Sequence, residues 1–471
     1  MTSAASSPAP ADARAGAELL DAIRVALPDL RLLTDETDRE SYRRDETAYL
    51  EAGLPLAVAL PTTTDEVAEL MRLATAHRVP VVPRGAGTGL SGGAAGVTGA
   101  LTIALTKMDR ILEIDEANLT VTTQPGILNA ELKKAVAERG LFYAPDPGSY
   151  EICSIGGNIG TNAGGLCCVK YGQTRESVLG LEVVLADGRV IRTGGKNVKD
   201  VAGYSLTQLF VGSQGTLGIV TEATLRLRPT PPERGTLLAF FPSIRAAGDA
   251  VAAIARAGIN PVTLEFMDAA SIAAVDDWHH LGLDREAAGM LMIESDLPAM
   301  ALMAELDRAV EVCEAAGATS TIRSADAAEA DLLRTARRLG LRALERLGVV
   351  RMEDVGVPRA RVPELLTAIA DIGRRHGVTI ATFGHAGDGN LHPNLVFGRD
   401  EPDIEARDEA VRNELYAAAL ALGGTVTGEH GIGTARRDWL ERQRGREAVD
   451  VMRRIKAALD PLGILNPGKV L

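Results

Sequence analysis

The chain has 471 residues, of which 46% are hydrophobic, and a formal net charge of −13. This length exceeds one ordinary hydrophobic core and predicts two or three domains. The acidic balance argues against nucleic acid or an anionic membrane as a default partner, because both are bound by basic surfaces. The sequence lacks an apolar run of about 18 residues and a basic-then-apolar start. We therefore expect a cytoplasmic protein, with peripheral membrane contact left open.

The four cysteines, Cys153, Cys167, Cys168 and Cys313, form no Cys-x-x-Cys pair. A chain of 49.5 kDa does not need disulfides to hold its core together, so we expect reduced thiols. The adjacent Cys167 and Cys168 fit either a redox pair or two small apolar residues in a loop of the first domain. We favour the second interpretation.

The first predicted elements lead to a glycine-rich loop. Residues 1–16 are mainly Ala, Ser and Pro and are expected to be disordered. Thr63 and Glu66 form a capping box, which predicts a helix from there to about residue 78. A strand at 79–82 follows and runs directly into the loop at 83–93.

The loop at 83–93 has the composition of a phosphate-binding loop. Its glycines let consecutive backbone N–H groups turn toward phosphate oxygens without obstruction by Cβ atoms. It does not match the dinucleotide fingerprint of a Rossmann fold, because Leu90 stands where the third glycine belongs and a strand at 101–105 follows instead of a helix. NAD is therefore not expected as the ligand, and a purely structural loop is the alternative.

Further glycine-rich segments follow, separated by short β-rich runs. They lie at 145–149, 154–165, 194–196 and 211–219, and the runs between them include 181–185 and 219–227. Each segment offers small residues and free backbone amides at points far apart in the sequence. That distribution fits an extended dinucleotide lying across a sheet better than a single phosphate.

The pattern changes after an expected linker at 229–234. Strands are predicted at 237–241, 290–294 and 379–383, and helices at 243–257, 298–316 and 362–376. This mixture predicts an α+β domain with an antiparallel sheet.

Two histidines flank an Asp-Gly pair in the stretch 384–394. In a helix, His385 and His392 would lie roughly 10 Å apart along the axis and could not share a metal ion. A two-residue turn at Asp388-Gly389 instead places His385 directly opposite His392, with Cβ atoms about 5 Å apart on one face of a hairpin. The hairpin interpretation therefore predicts a shared metal.

Further side chains could join this pair. Asn394 points to the same face as His392, and the motif at 427–433 offers the carboxylate of Glu429 and the imidazole of His430. The alternative is a set of polar residues with ordinary hydrogen bonds. The concentration of histidines in two glycine-rich motifs favours a metal site.

Taken in order, six motifs resemble those of a known family. They lie at 83–93, 154–165, 212–219, 384–394, 428–433 and 466–469. The chain from about residue 38 to 471 resembles the FAD-linked oxidoreductases of the vanillyl-alcohol oxidase and p-cresol methylhydroxylase fold. Within that fold it is similar to the D-2-hydroxyacid dehydrogenase branch, which includes D-lactate dehydrogenase, D-2-hydroxyglutarate dehydrogenase and the flavin subunit of glycolate oxidase.

The resemblance implies a domain arrangement. An FAD-binding domain of two α+β subdomains would span 17–230, and an α+β substrate or cap domain with an antiparallel sheet would span 231–425. The segment 426–471 would return to the flavin.

The resemblance also implies residue roles. His385, His392 and Glu429 would bind a divalent metal, zinc in the first place with manganese or iron open. His430 would be the catalytic base and Asn394 a contact to the substrate carboxylate. Thr88 stands where relatives with covalent flavin can carry histidine, so FAD is expected to bind non-covalently. The implied FAD contacts are Pro83, Arg84, Gly85, Ala86, Gly87, Thr88, Gly89, Leu90, Ser91, Pro147, Gly148, Ser149, Ser154, Ile155, Gly156, Gly157, Asn158, Gly160, Thr161, Gly215, Gly218, Ile219 and Asn466.

One departure from the family concerns the far end of the substrate. The hydroxyglutarate enzymes use a Trp-x-x-Arg stretch and a later lysine there. This chain keeps the arginine as Arg337 but lacks the tryptophan, and the lysine position falls near Met352. Arg337 is therefore a candidate substrate contact, although an exposed helix arginine is the alternative, and Arg351 could replace the lysine. A small monocarboxylate is expected.

The implied reaction is FAD- and metal-dependent oxidation of D-lactate or glycolate to the 2-keto acid, with hydride transfer to flavin N5. The alternatives are oxidation of D-2-hydroxyglutarate, a flavin transferase without net redox change, and a subunit of a larger complex. Electrons would leave to a separate acceptor, which could be a quinone, an electron-transfer flavoprotein, a cytochrome or oxygen. A homodimer is also left open.

Overall fold

The structure is a computed structural model that describes residues 13–47, 49–232, 234–324 and 327–471. The chain forms two compact units. The first unit comprises Met1–Gly164, Gln173–Thr230 and His430–Leu471, and the second comprises Gly165–Gly172 and Pro231–Glu429. In the described ranges, none of the helices is both long enough and apolar enough to cross a membrane.

Residues 13–230 contain the following elements. The helices are α1 (Ala13–Ala26), α2 (Glu36–Glu40), α3 (Thr64–His77), α4 (Asn129–Ala137), α5 (Ile155–Thr161), α6 (Cys168–Tyr171), α7 (Thr174–Ser177) and α8 (Leu206–Phe210). The strands are β1 (Arg31–Leu33), β2 (Ala57–Leu60), β3 (Val81–Arg84), β4 (Leu101–Ala104), β5 (Ile111–Asp115), β6 (Thr120–Thr123), β7 (Leu141–Phe142), β8 (Val178–Val184), β9 (Val190–Gly194), β10 (Ile219–Arg226) and β11 (Arg228–Pro229).

The N-terminal stretch that was expected to be disordered includes residues that are helical. Residues 1–12 lie outside the described residues, but residues 13–16 begin α1. Leu19 and Ile23 of this helix are fully or almost fully buried. Their spacing of one helical turn gives α1 an apolar side that packs into the first core, which explains why the helix starts earlier than the composition indicated.

The capping box is confirmed. The Thr63 hydroxyl accepts a hydrogen bond from the Glu66 backbone N–H, and the Glu66 carboxylate accepts one from the Thr63 N–H. Helix α3 begins there and ends at a left-handed Arg78. Its buried side, which includes Leu70 and Met71, packs into the same core as α1.

Two sheets form the first unit. One has the order β1-β2-β4-β3, with parallel pairing among β2, β4 and β3, and the other has the antiparallel order β5-β6-β10-β8-β9. The strand predicted at 79–82 is displaced to 81–84, in register with Leu101–Ala104. Pro83 fits there because β3 lies at the edge of the sheet. Leu465, near the C-terminus, bridges to Val81 on that edge.

The second unit contains the elements of residues 231–429. The helices are α9 (Ile244–Arg256), α10 (Ala269–His279), α11 (Ala299–Ala315), α12 (Ala327–Arg338), α13 (Gly340–Glu345), α14 (Val362–His376) and α15 (Ile404–Ala421). The strands are β12 (Gly235–Phe241), β13 (Thr263–Asp268), β14 (Gly289–Ser295), β15 (Ser320–Arg323), β16 (Val349–Met352), β17 (Val355–Gly356), β18 (Thr379–His385) and β19 (Asn390–Phe397). Two further helices, α16 (Arg437–Arg444) and α17 (Arg446–Leu459), belong to the first unit.

The described strands of the second unit form one antiparallel sheet. Its order is β15-β12-β14-β13-β18-β19-β16, and β17 also pairs with β19. The predicted strands at 237–241, 290–294 and 379–383 and the helix at 362–376 are all present. The predicted α+β class with an antiparallel sheet is therefore confirmed, and β13 and β18 are neighbours at the centre of that sheet.

The segment Gly165–Gly172, which carries the adjacent cysteines, packs with the second unit. Leu166 is buried in that unit's core, while the Lys170 ammonium and the Tyr171 hydroxyl both contact the Asp296 carboxylate. These contacts fix the segment on both sides of Cys167 and Cys168. All four cysteines are free of disulfides.

Candidate metal centre and cofactor-binding loops

The hairpin that carries His385 and His392 has a different register from the one predicted. His385 pairs with Asn390, and Phe383 pairs with His392, so the expected direct opposition of His385 and His392 is wrong. The connection is a four-residue loop at 386–389 rather than a two-residue turn. The Gly389 N–H donates to the carbonyls of His385 and Ala386, which closes the longer loop.

The register error amounts to two positions, so it does not change which face each side chain occupies. A shift of one residue would have moved one histidine to the opposite face, whereas a shift of two keeps both on the same face. The His385 and His392 rings lie with their centroids 5.1 Å apart and their planes at 86°. The hairpin therefore still brings the two imidazoles together.

Glu429 completes a three-ligand cluster with this pair. Its Oε1 lies 3.4 Å from Nε2 of His385 and 3.2 Å from Nε2 of His392. Two atoms that each lie about 2.1 Å from one ion at a tetrahedral angle are about 3.4 Å apart, so these separations suit a common metal. Two imidazoles and one carboxylate would leave a fourth coordination position for a substrate oxygen. The donor set thus fits a divalent ion.

The three ligands form a buried cluster of complementary charge. His385 and His392 are 7% and 4% exposed. Burial opposes a charged His385, but Glu265 and Glu429 outweigh it and raise the pKa of His385 well above its ordinary value. Burial likewise opposes a charged Glu429, yet the two histidines hold the pKa of Glu429 well below its ordinary value. The carboxylate is therefore ionised, as a metal ligand must be.

Two buried carboxylates that the sequence analysis missed hold the ligands in place. Glu265 Oε1 lies 2.7 Å from Nδ1 of His385. With that nitrogen donating to Glu265, the Nε2 atom would be left available to a metal ion. The signal in the sequence was a charged residue between Leu264 and Phe266 within β13.

Asp354 is the second carboxylate, and it is fully buried. It accepts hydrogen bonds from the Glu429 backbone N–H at 3.0 Å, from the Thr427 hydroxyl at 2.6 Å and from the Asn390 amide at 2.6 Å. These bonds attach the segment 427–429 to the hairpin. The second unit accordingly extends to Glu429, beyond the expected boundary at 425.

His430, the expected base, is the residue after Glu429 and begins the returning part of the first unit. A metal ligand and the expected base are therefore consecutive at the point where the chain leaves the second unit. Its role stays a prediction.

The two expected substrate contacts are both buried in the second unit. Arg337 is 5% exposed and forms an ion pair with Glu265, so the alternative of an exposed helix arginine is wrong. Asn394 is fully buried, and its Nδ2 donates to the carbonyls of Ala381 and His392. Both amide hydrogens of Asn394 are thus used within the sheet, which leaves Oδ1 as the atom that could meet a ligand.

The residues near the position expected for the substrate-binding lysine lie on β16. Met352 pairs with Asn394 at the end of β16. Arg351 lies 3.6 Å from Glu405, whose side chain is 83% exposed. Among the β16 residues, the neutral Met352 therefore has the ladder partner that is closest in sequence to His392.

The predicted cofactor loops meet one another in the first unit. The Ser154 hydroxyl accepts hydrogen bonds from the backbone N–H of Ala86 at 3.2 Å and of Gly157 at 3.3 Å. A Cβ atom at Gly85 would lie 2.4 Å from the same hydroxyl. Glycine at this position therefore permits the two loops to touch.

Two more predicted segments join the same place. Gln214 donates from Nε2 to the Ser91 hydroxyl at 3.2 Å and accepts from the Gly433 N–H at 2.9 Å. Asn466 donates from Nδ2 to the carbonyls of Gly93 and Gln214 at 2.9 and 2.6 Å. Loops from four separate parts of the sequence thus form one cluster, as an extended dinucleotide requires.

Some predicted cofactor residues also have structural partners. Pro83 and Arg84 belong to β3, and the Arg84 guanidinium donates to the carbonyls of Arg44 and Ala94. Ile219 is 1% exposed in the core, and a Cβ at Gly218 would lie 2.5 Å from Val183. Their role as FAD contacts stays a prediction. The remaining members lie in the loop after β3, the 147–149 turn, and the Ser154 end and body of α5.

Comparison with known families covers both halves of the chain. Residues 55–194 match an FAD-binding domain, and residues 230–470 match the C-terminal domain of FAD-linked oxidases. The cofactor loops at 83–93 and 154–165 fall within the first match. The cluster of His385, His392 and Glu429 falls within the second.

Curated relatives match over nearly the full length. The chain is 46% identical to the glycolate oxidase subunit GlcD of Bacillus subtilis, with 91% of both chains covered. It is 37% identical to the subunit of the same name from Escherichia coli, with 96% of this chain and 90% of that one covered. It is 36% identical to a D-lactate dehydrogenase of Archaeoglobus fulgidus, with 92% of this chain and 96% of that one covered.

Solved structures share the fold. p-Cresol methylhydroxylase superposes with a TM-score of 0.83 at 18% identity, covering 98% of this chain and 97% of that one. 4-Ethylphenol oxidase from Gulosibacter chungangensis superposes with a TM-score of 0.80 at 20% identity, covering 99% and 98%. The expected fold is confirmed, and the chain belongs to the FAD-linked oxidases, a family of FAD-dependent oxidoreductases.

Proposed function

We propose that this protein oxidises a small 2-hydroxy acid, D-lactate or glycolate, to the 2-keto acid with FAD as hydride acceptor and a divalent metal, zinc in the first place, held by His385, His392 and Glu429. The observation that carries the proposal is the convergence of those three ligand atoms within 4.8 Å of one another. Relatives named glycolate oxidase subunit and D-lactate dehydrogenase support the substrate class.

The metal, FAD and His430 would each supply one part of the proposed reaction. A divalent metal held by His385, His392 and Glu429 would supply a Lewis acid and template for the carboxylate and hydroxyl of the substrate, and FAD held by the loops of the first unit would supply the hydride acceptor. The substrate loses one proton and one hydride, so two electrons leave as the C–O bond becomes a carbonyl. In this scheme His430 accepts the hydroxyl proton.

The residues around the ligands support the rest of the scheme. Glu265 orients His385 through Nδ1, and Asp354 holds the backbone of Glu429. Both carboxylates are at most 1% exposed, so the ligands are held by a dry and rigid environment. Asn394 can contact the substrate only through Oδ1, which would accept a hydrogen bond from the hydroxyl rather than donate one to the carboxylate.

The contacts of Arg337 favour a small monocarboxylate over D-2-hydroxyglutarate. A second substrate carboxylate needs an available cation, but Arg337 already faces Glu265 at 2.6 Å. Met352 offers no charge. The hydroxyglutarate alternative therefore lacks a cation at either position.

The electron acceptor and assembly are part of the proposal. The word "subunit" in the names of the glycolate oxidase relatives supports a complex in which another chain receives the electrons. A quinone, an electron-transfer flavoprotein, a cytochrome or oxygen would then complete the cycle.

Anaerobic mixing of the FAD-loaded protein with D-lactate, glycolate, D-2-hydroxyglutarate and the L-isomers tests the proposal. We expect the flavin absorbance to bleach with D-lactate or glycolate, and to stop bleaching after the metal is removed by a chelator. Bleaching by D-2-hydroxyglutarate alone would show that this acid is the substrate, in place of D-lactate or glycolate. No bleaching by any acid would favour the flavin transferase.

A further inference from the structure

A buried ion pair lies directly behind one of the metal ligands. One Glu265 oxygen, Oε1, faces Nδ1 of His385 at 2.7 Å, and the other, Oε2, faces an Arg337 guanidinium nitrogen at 2.6 Å. We infer that Arg337 is a positioning residue that fixes Glu265, and through it His385, for metal binding, rather than a residue that binds substrate. This inference rests on the proposed metal centre.

A metal-bound His385 would leave the negative charge of Glu265 uncompensated. A histidine that binds a metal through Nε2 is neutral, and its Nδ1–H only donates a hydrogen bond. Such a histidine does not neutralise Glu265, which is 1% exposed. A buried carboxylate without a cation is strongly unfavourable. The Arg337 guanidinium, which is always protonated, supplies that cation at ion-pair distance.

Arg337 also contacts the strand partner of His392. The Arg337 guanidinium carbon also lies 4.5 Å from the centre of the Phe383 ring. Phe383 is the strand partner of His392, and their ring centroids are 6.1 Å apart. Arg337 therefore contacts the supports of both histidines, one through Glu265 and the other through Phe383. A planar guanidinium can make both contacts at once, whereas an ammonium group cannot.

The Arg337 guanidinium is poorly available to a substrate. Arg337 is 5% exposed, and it borders a cavity whose other lining residues are apolar, among them Leu238, Met267 and Met290. A substrate carboxylate would have to compete with Glu265 for the guanidinium. In this low-dielectric setting the existing ion pair is strong, so displacement is unfavourable.

The same helix provides a matched comparison. Arg334, one turn before Arg337 on α12, pairs with Glu294, which is fully buried, at 2.7 Å. The Glu294 carboxylate also accepts a hydrogen bond from the Thr236 hydroxyl. Both arginines thus compensate a buried glutamate of the same sheet, but among the described contacts only the Arg337 pair continues to a metal ligand.

The experiment uses the full FAD-loaded chain in four forms: wild type, Arg337→Met, Arg337→Lys and Arg334→Met. Each is stripped of metal, and its zinc dissociation constant is measured by competition with a chromophoric chelator. Thermal unfolding and the KM and kcat of flavin reduction by D-lactate and glycolate are recorded on the same samples. Metal affinity is thereby measured independently of activity.

We expect Arg337→Met to weaken zinc binding about 10- to 100-fold, the usual effect of losing a residue that orients a ligand. Arg337→Lys, which keeps the charge but not the planar group, should lie between this variant and the wild type. Arg334→Met should lose thermal stability but keep the wild-type zinc affinity. If Arg337→Met does not fold, Arg337→Lys still decides the matter through its zinc affinity.

Two results would overturn the inference, and they differ from failure of the metal centre. Unchanged zinc affinity in both Arg337 variants together with a raised KM would assign Arg337 to the substrate. Equal weakening in Arg334→Met and Arg337→Met would show a general effect of stability. A wild type that binds no zinc, manganese or iron would overturn the proposed metal centre itself, and the inference with it.

Discussion

Phe383 lies opposite His392 in the hairpin. The turn chemistry had predicted His385 in that position. The reason is the position of Gly389, which has a φ of +86° and closes the four-residue loop. A Cβ atom there would lie 2.1 Å from the carbonyl oxygen of Val357. Gly389 thus sets the register that brings both imidazoles toward Glu429.

Gly389→Ala should therefore damage both the fold and the metal centre. We expect a loss of roughly 2–5 kcal/mol in unfolding free energy, from left-handed strain together with the collision at Val357, and weaker zinc binding. Chemical unfolding and chelator competition measure the two effects. Gly423→Ala is the matched control, because Gly423 has a φ of +77° but open space around its Cβ position. Equal effects of the two substitutions would argue against a special role for Gly389.

His385→Ala should remove the metal and leave the flavin. The variant loses one of three ligands, so the bound zinc should fall below stoichiometric amounts after dialysis, while the FAD absorbance per chain stays at the wild-type level. Metal analysis and absorbance spectra measure the two. His376→Ala is the control, since His376 lies in the same unit but pairs with Glu414. Full zinc occupancy in His385→Ala would remove His385 from the ligand set.

The sequence predicted local features better than distant contacts. The capping box at Thr63 and Glu66 and the shared face of His385 and His392 depend on residues close together in the chain, and both are present. The hairpin register was wrong because both loop lengths suit an Asp-Gly pair, and the choice depends on Val357, which lies far from the loop in sequence.

The supporting residues of the metal cluster could not be found from local patterns. Glu265 is 120 residues from His385, and Arg337 reaches Glu265 from helix α12. A row of arginines on a helix usually faces solvent, and only tertiary packing decides otherwise. For the same reason, the packing of the segment Gly165–Gly172 with the second unit was not predictable, because its partner Asp296 lies over 120 residues away.

His430→Ala should separate proton transfer from binding. With the metal ligands and FAD loops unchanged, we expect wild-type zinc and FAD content but flavin reduction by substrate slowed about 10²- to 10⁴-fold, the usual contribution of a general base. Anaerobic stopped-flow absorbance measures the rate. Reduction by dithionite, which needs no base, should be unaffected and serves as the control. A variant that is reduced by substrate at the wild-type rate would exclude His430 as the base.

As pH rises from about 4 to about 6, the contribution of Asp268 to the stability of the second unit should become less favourable. This carboxylate caps α10 and accepts hydrogen bonds from the Ser271 and Thr382 N–H groups, but burial raises its pKa to about 6. A raised carboxyl pKa means that the folded state binds the proton more tightly than the unfolded state between the two pKa values. The folded state is therefore favoured below that window and penalised above it, by about 3 kcal/mol in total.

Comparing the wild type with Asp268→Asn tests this effect, because asparagine does not titrate. Trp278 lies on α10 and reports on the second unit, so unfolding is followed by its fluorescence in a Trp439→Phe background, since Trp439 belongs to the first unit. The difference in unfolding free energy between wild type and variant should shift against the wild type by about 2 kcal/mol between pH 4 and pH 6, which is the larger part of the total effect. Other titrating groups contribute equally to both proteins and cancel. A difference that stays constant over this range would show that Asp268 titrates alike in the folded and unfolded states, and that its hydrogen bonds to Ser271 and Thr382 offset the effect of burial.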